Sequence, residues 1–121
     1  MCFRLSAVLI SILTFAACGS SSSSSTPSTP SPTSASVSIV PGARTLTTTA
    51  YSPNPLTIAR GTTVVWMNND SSTHDQVSDS GVFNTGSVAP GAQASFTFQN
   101  AGTFPYHCGI HPNMVATIVV Q

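Results

Sequence analysis

Three side chains that can bind a metal ion recur at intervals of three residues near the end of the chain. Cys108, His111 and Met114 offer a thiol, an imidazole and a thioether within the stretch 106–114, which reads YHCGIHPNM. This spacing allows all three side chains to reach one point from a single tight loop. A thiolate, an imidazole and a weak axial thioether are ligand types of a trigonal copper electron-transfer site, which takes a second histidine as well.

The second histidine has to come from elsewhere in the chain, which contains three histidines in total. His107 adjoins Cys108 in a predicted strand, so its side chain should point to the opposite face, as a surface or packing residue. His74 follows a loop rich in Asn, Asp and Ser and is therefore the predicted fourth ligand. Each ligand has a plainer alternative: a solvated loop histidine, an inert buried thiol, or a methionine that fills the core.

Short β-rich runs separated by turn residues make up the chain from residue 37 onward, without a convincing helical period. Glycines in Arg60-Gly61, Pro90-Gly91 and Asn100-Ala101-Gly102 supply turns. Pro105 cannot donate to a ladder, so it predicts a bulge or an unpaired edge just before the Cys108 loop. The predicted strands are Val37–Val40, Thr45–Ala50, Leu56–Ala59, Thr62–Asn68, Gln76–Ser78, Gln93–Gln99, Thr103–Cys108 and Val115–Val120.

The order of motifs along this region resembles the cupredoxins, the small blue copper proteins, in their plastocyanin and amicyanin branch. The resemblance runs from about Val37 to Gln121 and implies an all-β, Greek-key β-sandwich of about eight strands that binds one type 1 copper. The motifs that carry it are Val65-Trp66-Met67-Asn68-Asn69-Asp70, His74, Phe83-Asn84-Thr85-Gly86, Ala89-Pro90-Gly91, Phe96-Thr97-Phe98, Ala101-Gly102-Thr103-Phe104 and Tyr106-His107-Cys108.

The resemblance also implies how partners would bind. In similar proteins the loop histidine, here His111, reaches the surface through an apolar patch on which redox partner proteins dock. Ile110, Pro112 and Val115 are the residues that would form this docking patch, and Met114, Val82 and Phe83 are further candidates.

One segment departs from the family pattern, in which a short polar residue and then a valine follow the first histidine. This chain reads His74-Asp75-Gln76-Val77. Two explanations are open: the strand is bulged by one residue, or Asp75 replaces the neighbour whose backbone ties normally help to hold the thiolate.

The first 36 residues are not expected to belong to the folded domain. Residues 1–17 carry Arg4 followed by a mostly apolar run, which is typical of an export signal. The segment around Cys18 resembles a bacterial lipobox, so we expect Cys18 to carry a lipid, with an ordinary signal cleavage as the alternative. Residues 18–36, almost entirely Ser, Thr and Pro after Cys18, predict a disordered tether between a membrane anchor and a cupredoxin domain at 37–121.

Composition narrows the classes of function. Three arginines, no lysine and three aspartates give a net charge of zero, so nucleic acid is not an expected partner. Cys108 is the only cysteine after residue 18, and a lone thiol in an oxidising compartment is at risk unless a metal holds it.

Three functions remain to be weighed for an exported, monomeric domain of this kind. The first is electron transfer by one copper that cycles between Cu(I) and Cu(II). The second is copper carriage or copper handling without electron transfer, because the same ligands would serve it. The third is catalysis, which would need a second metal centre. Three histidines do not suffice to build one, so we do not expect this protein to be an enzyme.

Overall fold

The computed structural model describes Gly19 and residues 33–121. The predicted export signal, Cys18 and most of the predicted tether lie outside the described residues. Within the described residues, no helix has the length and apolar character needed to cross a membrane. The strands are β1 (Ser34–Ile39), β2 (Tyr51–Ser52), β3 (Leu56–Ile58), β4 (Thr62–Asn68), β5 (Val77–Ser78), β6 (Gln93–Phe98), β7 (Gly102–His107) and β8 (Val115–Val120), with one short 3-10 helix at Ala43–Thr45.

The eight strands form two four-stranded sheets, ordered β2-β1-β4-β6 and β3-β8-β7-β5, which confirms the all-β sandwich. Both sheets are mixed, because β1 pairs with β4 and β3 pairs with β8 in parallel. In each case the parallel partner lies far along the sequence, which leaves room for the crossover that parallel strands require.

The core lies between the two sheets and is built by alternation along the strands. In β4 the side chains of Val64 and Trp66 are fully buried, while Met67 is exposed on the outer face. Trp66 packs edge-on against Tyr106 of the opposite sheet and donates a hydrogen bond from Nε1 to the Tyr106 hydroxyl at 3.1 Å. This pair locks the sheets together directly behind the residues that lead into Cys108.

The first strand begins earlier than the sequence suggested. β1 starts at Ser34, three residues before the predicted start at Val37, and it pairs in register with β4 from Thr63 onward. Residues 34–36 contain no large apolar side chain, so composition alone assigned them to the tether. Their place in the sheet comes from the backbone ladder to β4.

The strand predicted at Thr45–Ala50 is wrong. This segment contains the end of the 3-10 helix and a run of turns, and only the short strand β2 follows it at Tyr51–Ser52. Its threonines favour strands, but the Thr45 hydroxyl donates to the carbonyl of Gly42 and so closes a local turn. The local hydrogen bond prevails because strand propensity depends on context.

Pro105 lies where β7 runs past the end of its short neighbour β5, which pairs only with Tyr106 and His107. The Pro105 carbonyl points to this side and accepts a hydrogen bond from the N–H of Asp79. The proline nitrogen faces the same side, so its missing donor costs no ladder bond. The predicted unpaired edge is confirmed, and β7 continues regularly toward the Cys108 loop.

Candidate metal centre

The loop between β7 and β8 presents Cys108 and His111, and backbone hydrogen bonds close it. The Cys108 N–H donates to the Met114 carbonyl and the Met114 N–H donates to the His111 carbonyl, both at 3.0 Å. Pro112 lies inside this ring and fixes one further backbone dihedral. The loop is therefore a small closed turn whose two polar ligand candidates are held on a defined backbone.

His74 comes from the connection between β4 and β5 and is fixed from both sides. Its backbone pairs with Val88, with His74 N–H donating to the Val88 carbonyl at 3.1 Å and Val88 N–H donating back at 2.6 Å. The Asn68 amide at the end of β4 donates to the carbonyls of Ser72 and Val88 and so braces the same connection. The imidazole is fully buried.

These two segments bring three metal-binding atoms together. His74 Nδ1 lies 3.7 Å from Cys108 Sγ, His111 Nδ1 lies 3.8 Å from the same sulfur, and the two nitrogens are 3.2 Å apart. An ion with bonds of about 2.0–2.3 Å to each atom in a trigonal plane would separate them by about 3.5–3.7 Å. The triangle therefore fits a single metal ion, and its donor set of two imidazoles and one thiolate is that of a trigonal copper site.

Asp70 holds the outer nitrogen of His74, a contact that the sequence analysis did not predict. The Asp70 Oδ2 atom lies 2.8 Å from His74 Nε2. Burial favours a higher pKa for Asp70, but hydrogen bonds from His74 and from the N–H groups of Gly42 and Ser71 outweigh it and lower the pKa to about 2. An ionised Asp70 accepts a hydrogen bond from Nε2–H of the neutral imidazole, which leaves Nδ1 unprotonated toward Cys108.

Cys108 is fully buried, and burial raises the pKa of its thiol. Backbone N–H groups of Asp75, Ile110 and His111 face the sulfur and favour the thiolate. Since a bound metal ion would supply the missing positive charge, the sulfur environment suits a metal thiolate better than a free one.

The departure after His74 has a direct structural explanation. Asp75 Oδ1 accepts hydrogen bonds from the backbone N–H of Gly109 at 2.5 Å and of Ile110 at 3.3 Å. It also accepts one from the Cys108 thiol at 3.3 Å, which raises the pKa of that thiol. Asp75 thus occupies the place of the tying neighbour, as one of the two explanations proposed. The carboxylate links the His74 segment to the Cys108 loop.

Met114 is fully buried at the end of the ligand loop, with its backbone bonded to Cys108. Its role as axial ligand stays a prediction, and its burial removes it from the docking patch. Phe83 is also buried, against Trp66, so the suggestion that it lies at the surface is wrong. His107 is partly exposed and bonds through Nδ1 to Asp79 at 2.6 Å, away from the metal-binding triangle, as its strand position predicted.

The residues of the predicted docking patch are accessible to solvent. Ile110 and Val115 are 48% and 38% exposed, and Pro112 is exposed as well. His111 between them is half-buried. The role of Ile110, Pro112 and Val115 in docking stays a prediction.

Comparison with known proteins agrees with this architecture. The family described as cupredoxin-like domain matches residues 7–120. Over 76 residues the chain is 36% identical to amicyanin from Paracoccus denitrificans, covering 59% of this chain and 58% of amicyanin. Over 84 residues it is 34% identical to plastocyanin from Scenedesmus fuscus, covering 59% of this chain and 86% of that protein.

A solved structure shows the same fold over a longer stretch. The purple cupredoxin from Nitrosopumilus maritimus superposes with a TM-score of 0.67 at 33% identity, covering 72% of this chain and 99% of that one. The chain thus belongs to the cupredoxin-like domain family. It spans less than two thirds of the length of the amicyanin it matches.

Asp70 is the site residue that the sequence did not reveal. An acidic residue four positions before a ligand histidine carries a signal only when both lie in a helix, whereas here a loop brings them together. The folding of the 68–74 segment around Asn68 decides the contact.

Proposed function

We propose that this protein is a type 1 copper electron carrier, with one copper bound by His74, Cys108 and His111 and by Met114 as a weak axial ligand. The convergence of His74 Nδ1, Cys108 Sγ and His111 Nδ1 within 3.2–3.8 Å is the observation that carries the proposal. When bound, copper would supply the Cu(I)/Cu(II) couple, which accepts one electron from a donor and passes it to an acceptor.

The protein's own contribution is to hold the ligands still. His74 is fixed by Asp70 and by its backbone pair with Val88, and the Cys108 loop is closed on itself and tied by Asp75. Ligands held this way change little between the two redox states, so little reorganisation opposes electron transfer. This fixation favours electron transfer over copper carriage, which needs ligands that open to release the ion.

We infer that redox partner proteins dock on Ile110, Pro112 and Val115. With only six charged side chains in the whole chain, attraction over long distances is weak and binding depends on the apolar patch. Such a small patch suits brief encounters of a monomeric carrier. An electron would leave through the partly exposed His111 ring, which lies on the same loop as Ile110 and Pro112.

The decisive test is the visible spectrum of the copper-loaded full chain. We expect one copper per chain, an intense blue thiolate-to-copper band and its loss on reduction. Cys108→Ser should abolish the band, while Asp79→Asn, at an exposed carboxylate bonded to His107, should keep it. A protein that binds copper without the blue band would contradict the proposal.

Release of copper to a modest chelator separates the proposal from copper carriage. An electron carrier should keep its copper over many turnovers of reduction and oxidation. Release within seconds in either redox state would favour copper carriage.

We also propose that the protein is exported and tethered to a membrane through a lipid on Cys18. The charged and apolar residues of segment 1–17 and the lipobox-like sequence support this. Mass spectrometry of protein made in a bacterial host should find diacylglycerol on Cys18, and Cys18→Ser should release the protein from the membrane fraction. An unmodified N-terminus would contradict the lipid anchor.

A further inference from the structure

Asp75 places a carboxylate where two parts of the metal site meet. Its Oδ1 atom accepts hydrogen bonds from the Cys108 thiol at 3.3 Å, from the N–H of Gly109 at 2.5 Å and from that of Ile110 at 3.3 Å. It follows His74 directly in the chain. One oxygen therefore touches the sulfur and anchors the backbone of the loop that carries it.

Gly109 permits this close approach. A Cβ atom at residue 109 would lie 2.9 Å from Asp75 Oδ2 and 3.3 Å from Oδ1, closer than ordinary contact. The glycine is thus matched to a carboxylate pressed against the loop backbone. Its absent side chain is explained by the contact with Asp75.

In the part of the chain that the structure describes, no cation pairs with Asp75. Among residues 33–121 the ion pairs join Asp70 to His74 and Asp79 to His107, and neither includes Asp75. Both arginines of the described region, Arg44 and Arg60, are exposed and form no ion pair there. The carboxylate charge therefore acts on the Cys108 sulfur and on the metal ion that this sulfur would bind.

We propose that Asp75 is a positioning residue with an electrostatic role: it ties the ligand loop and lowers the reduction potential of the centre. This inference rests on the proposed copper site. A negative charge this close to the metal-binding sulfur stabilises Cu(II) more than Cu(I), because the oxidised ion carries the larger positive charge. Two functions follow from one side chain, and they can be separated by substitution.

Asp75→Asn tests the electrostatic function. The amide keeps an oxygen for the Gly109 N–H but removes the charge. We expect the potential of the copper-loaded full chain to rise, with Cu(I) favoured at least tenfold, which is 59 mV for one electron. Asp79→Asn is the matched control, because it makes the same chemical change at an exposed carboxylate and should shift the potential much less.

The result that would overturn this function is a potential in Asp75→Asn that moves no further than in Asp79→Asn. A purely structural role for Asp75 predicts that outcome, since the amide still accepts the backbone hydrogen bond. A lower potential in Asp75→Asn would overturn it as well.

Amide hydrogen exchange in the copper-free full chain tests the tying function without any metal. Asp75→Ala removes the acceptor, so the Gly109 amide should exchange at least tenfold faster than in the wild type, while Asp75→Asn should keep most of its protection. Equal exchange in the wild type and Asp75→Ala would overturn the tie. This arm stays informative if the wild type forms no blue copper site, which would contradict the proposed function instead.

Discussion

Asp70 Oδ2 and His74 Nε2 lie 2.8 Å apart, and both side chains are buried at one end of the sandwich. The same carboxylate accepts the backbone N–H of Gly42 at 2.9 Å and that of Ser71 at 2.8 Å through Oδ1. Asp70 therefore joins the metal-binding histidine to the turn that follows β1. The position of the His74 ring depends on this carboxylate.

Removing the Asp70 carboxylate should weaken metal binding. In Asp70→Ala the His74 ring loses the partner that fixes its orientation and its proton, so we expect copper affinity to fall about 10–100-fold. Competition with a calibrated chelator measures it. Asp79→Ala, which removes the partner of His107 outside the triangle, should bind copper like the wild type. Equal affinity of Asp70→Ala and the wild type would contradict the role of Asp70.

The low pKa of Asp70 predicts an acid-sensitive fold. Its folded-state pKa is about 2, below the ordinary value of 3.8, so the unfolded chain takes up the proton first as the pH falls. The stability that Asp70 contributes is complete above about pH 5 and is lost as the pH falls through about 2. Urea unfolding of the copper-free chain should show a stability difference from Asp70→Asn that shrinks over this interval. A difference independent of pH would exclude the effect.

The buried hydrogen bond between Trp66 and Tyr106 should stabilise the sandwich without affecting the metal. Tyr106→Phe leaves the Trp66 N–H unpaired in the core, which costs about 1–3 kcal/mol of unfolding free energy. Thr97→Val, which breaks the partly exposed hydroxyl pair with Thr63, should cost under about 0.5 kcal/mol. Denaturant titration compares the two. Loss of the blue band in Tyr106→Phe would show that this pair belongs to the metal site.

The sequence predicts most of the strands and all members of the metal-binding triangle. Cys108 and His111 are close in the chain, so their spacing carries the prediction, and the low number of histidines leaves His74 for the remaining place. Asp70 could not be found this way, because its contact depends on how a loop folds around Asn68. The sequence could not predict the first residues of β1 either. They join the strand because their backbone pairs with β4, not because they carry apolar side chains.

Asp75 is a residue that the sequence singled out but whose role it could not assign. The sequence identifies the departure from the family pattern, but it does not decide between a bulge and a replaced tie. The contacts of Asp75 Oδ1 with Gly109 N and Cys108 Sγ show that the tie is present. Those contacts require the Gly109 backbone to lie close to the Asp75 carboxylate. Such an approach depends on the folded structure and cannot be inferred from the sequence.

Charge on the docking patch should slow electron exchange and leave the metal site intact. Val115→Glu places a carboxylate in the proposed patch, and its desolvation on docking opposes the complex. We expect electron self-exchange to slow at least tenfold with an unchanged spectrum. Met67→Glu is the matched control, because Met67 is 45% exposed on the outer face of the other sheet. Equal rates in the two variants would rule out the patch.

The most direct test of the copper site as an electron carrier is a spectroelectrochemical titration of the copper-loaded full chain. We expect the blue band to disappear on reduction and to return on oxidation over repeated cycles. The ratio of the two forms should change tenfold for about every 59 mV, the signature of one electron. A band that fails to return after reduction, or copper that is lost in the first cycle, would contradict a centre whose ligands stay fixed through the change of redox state.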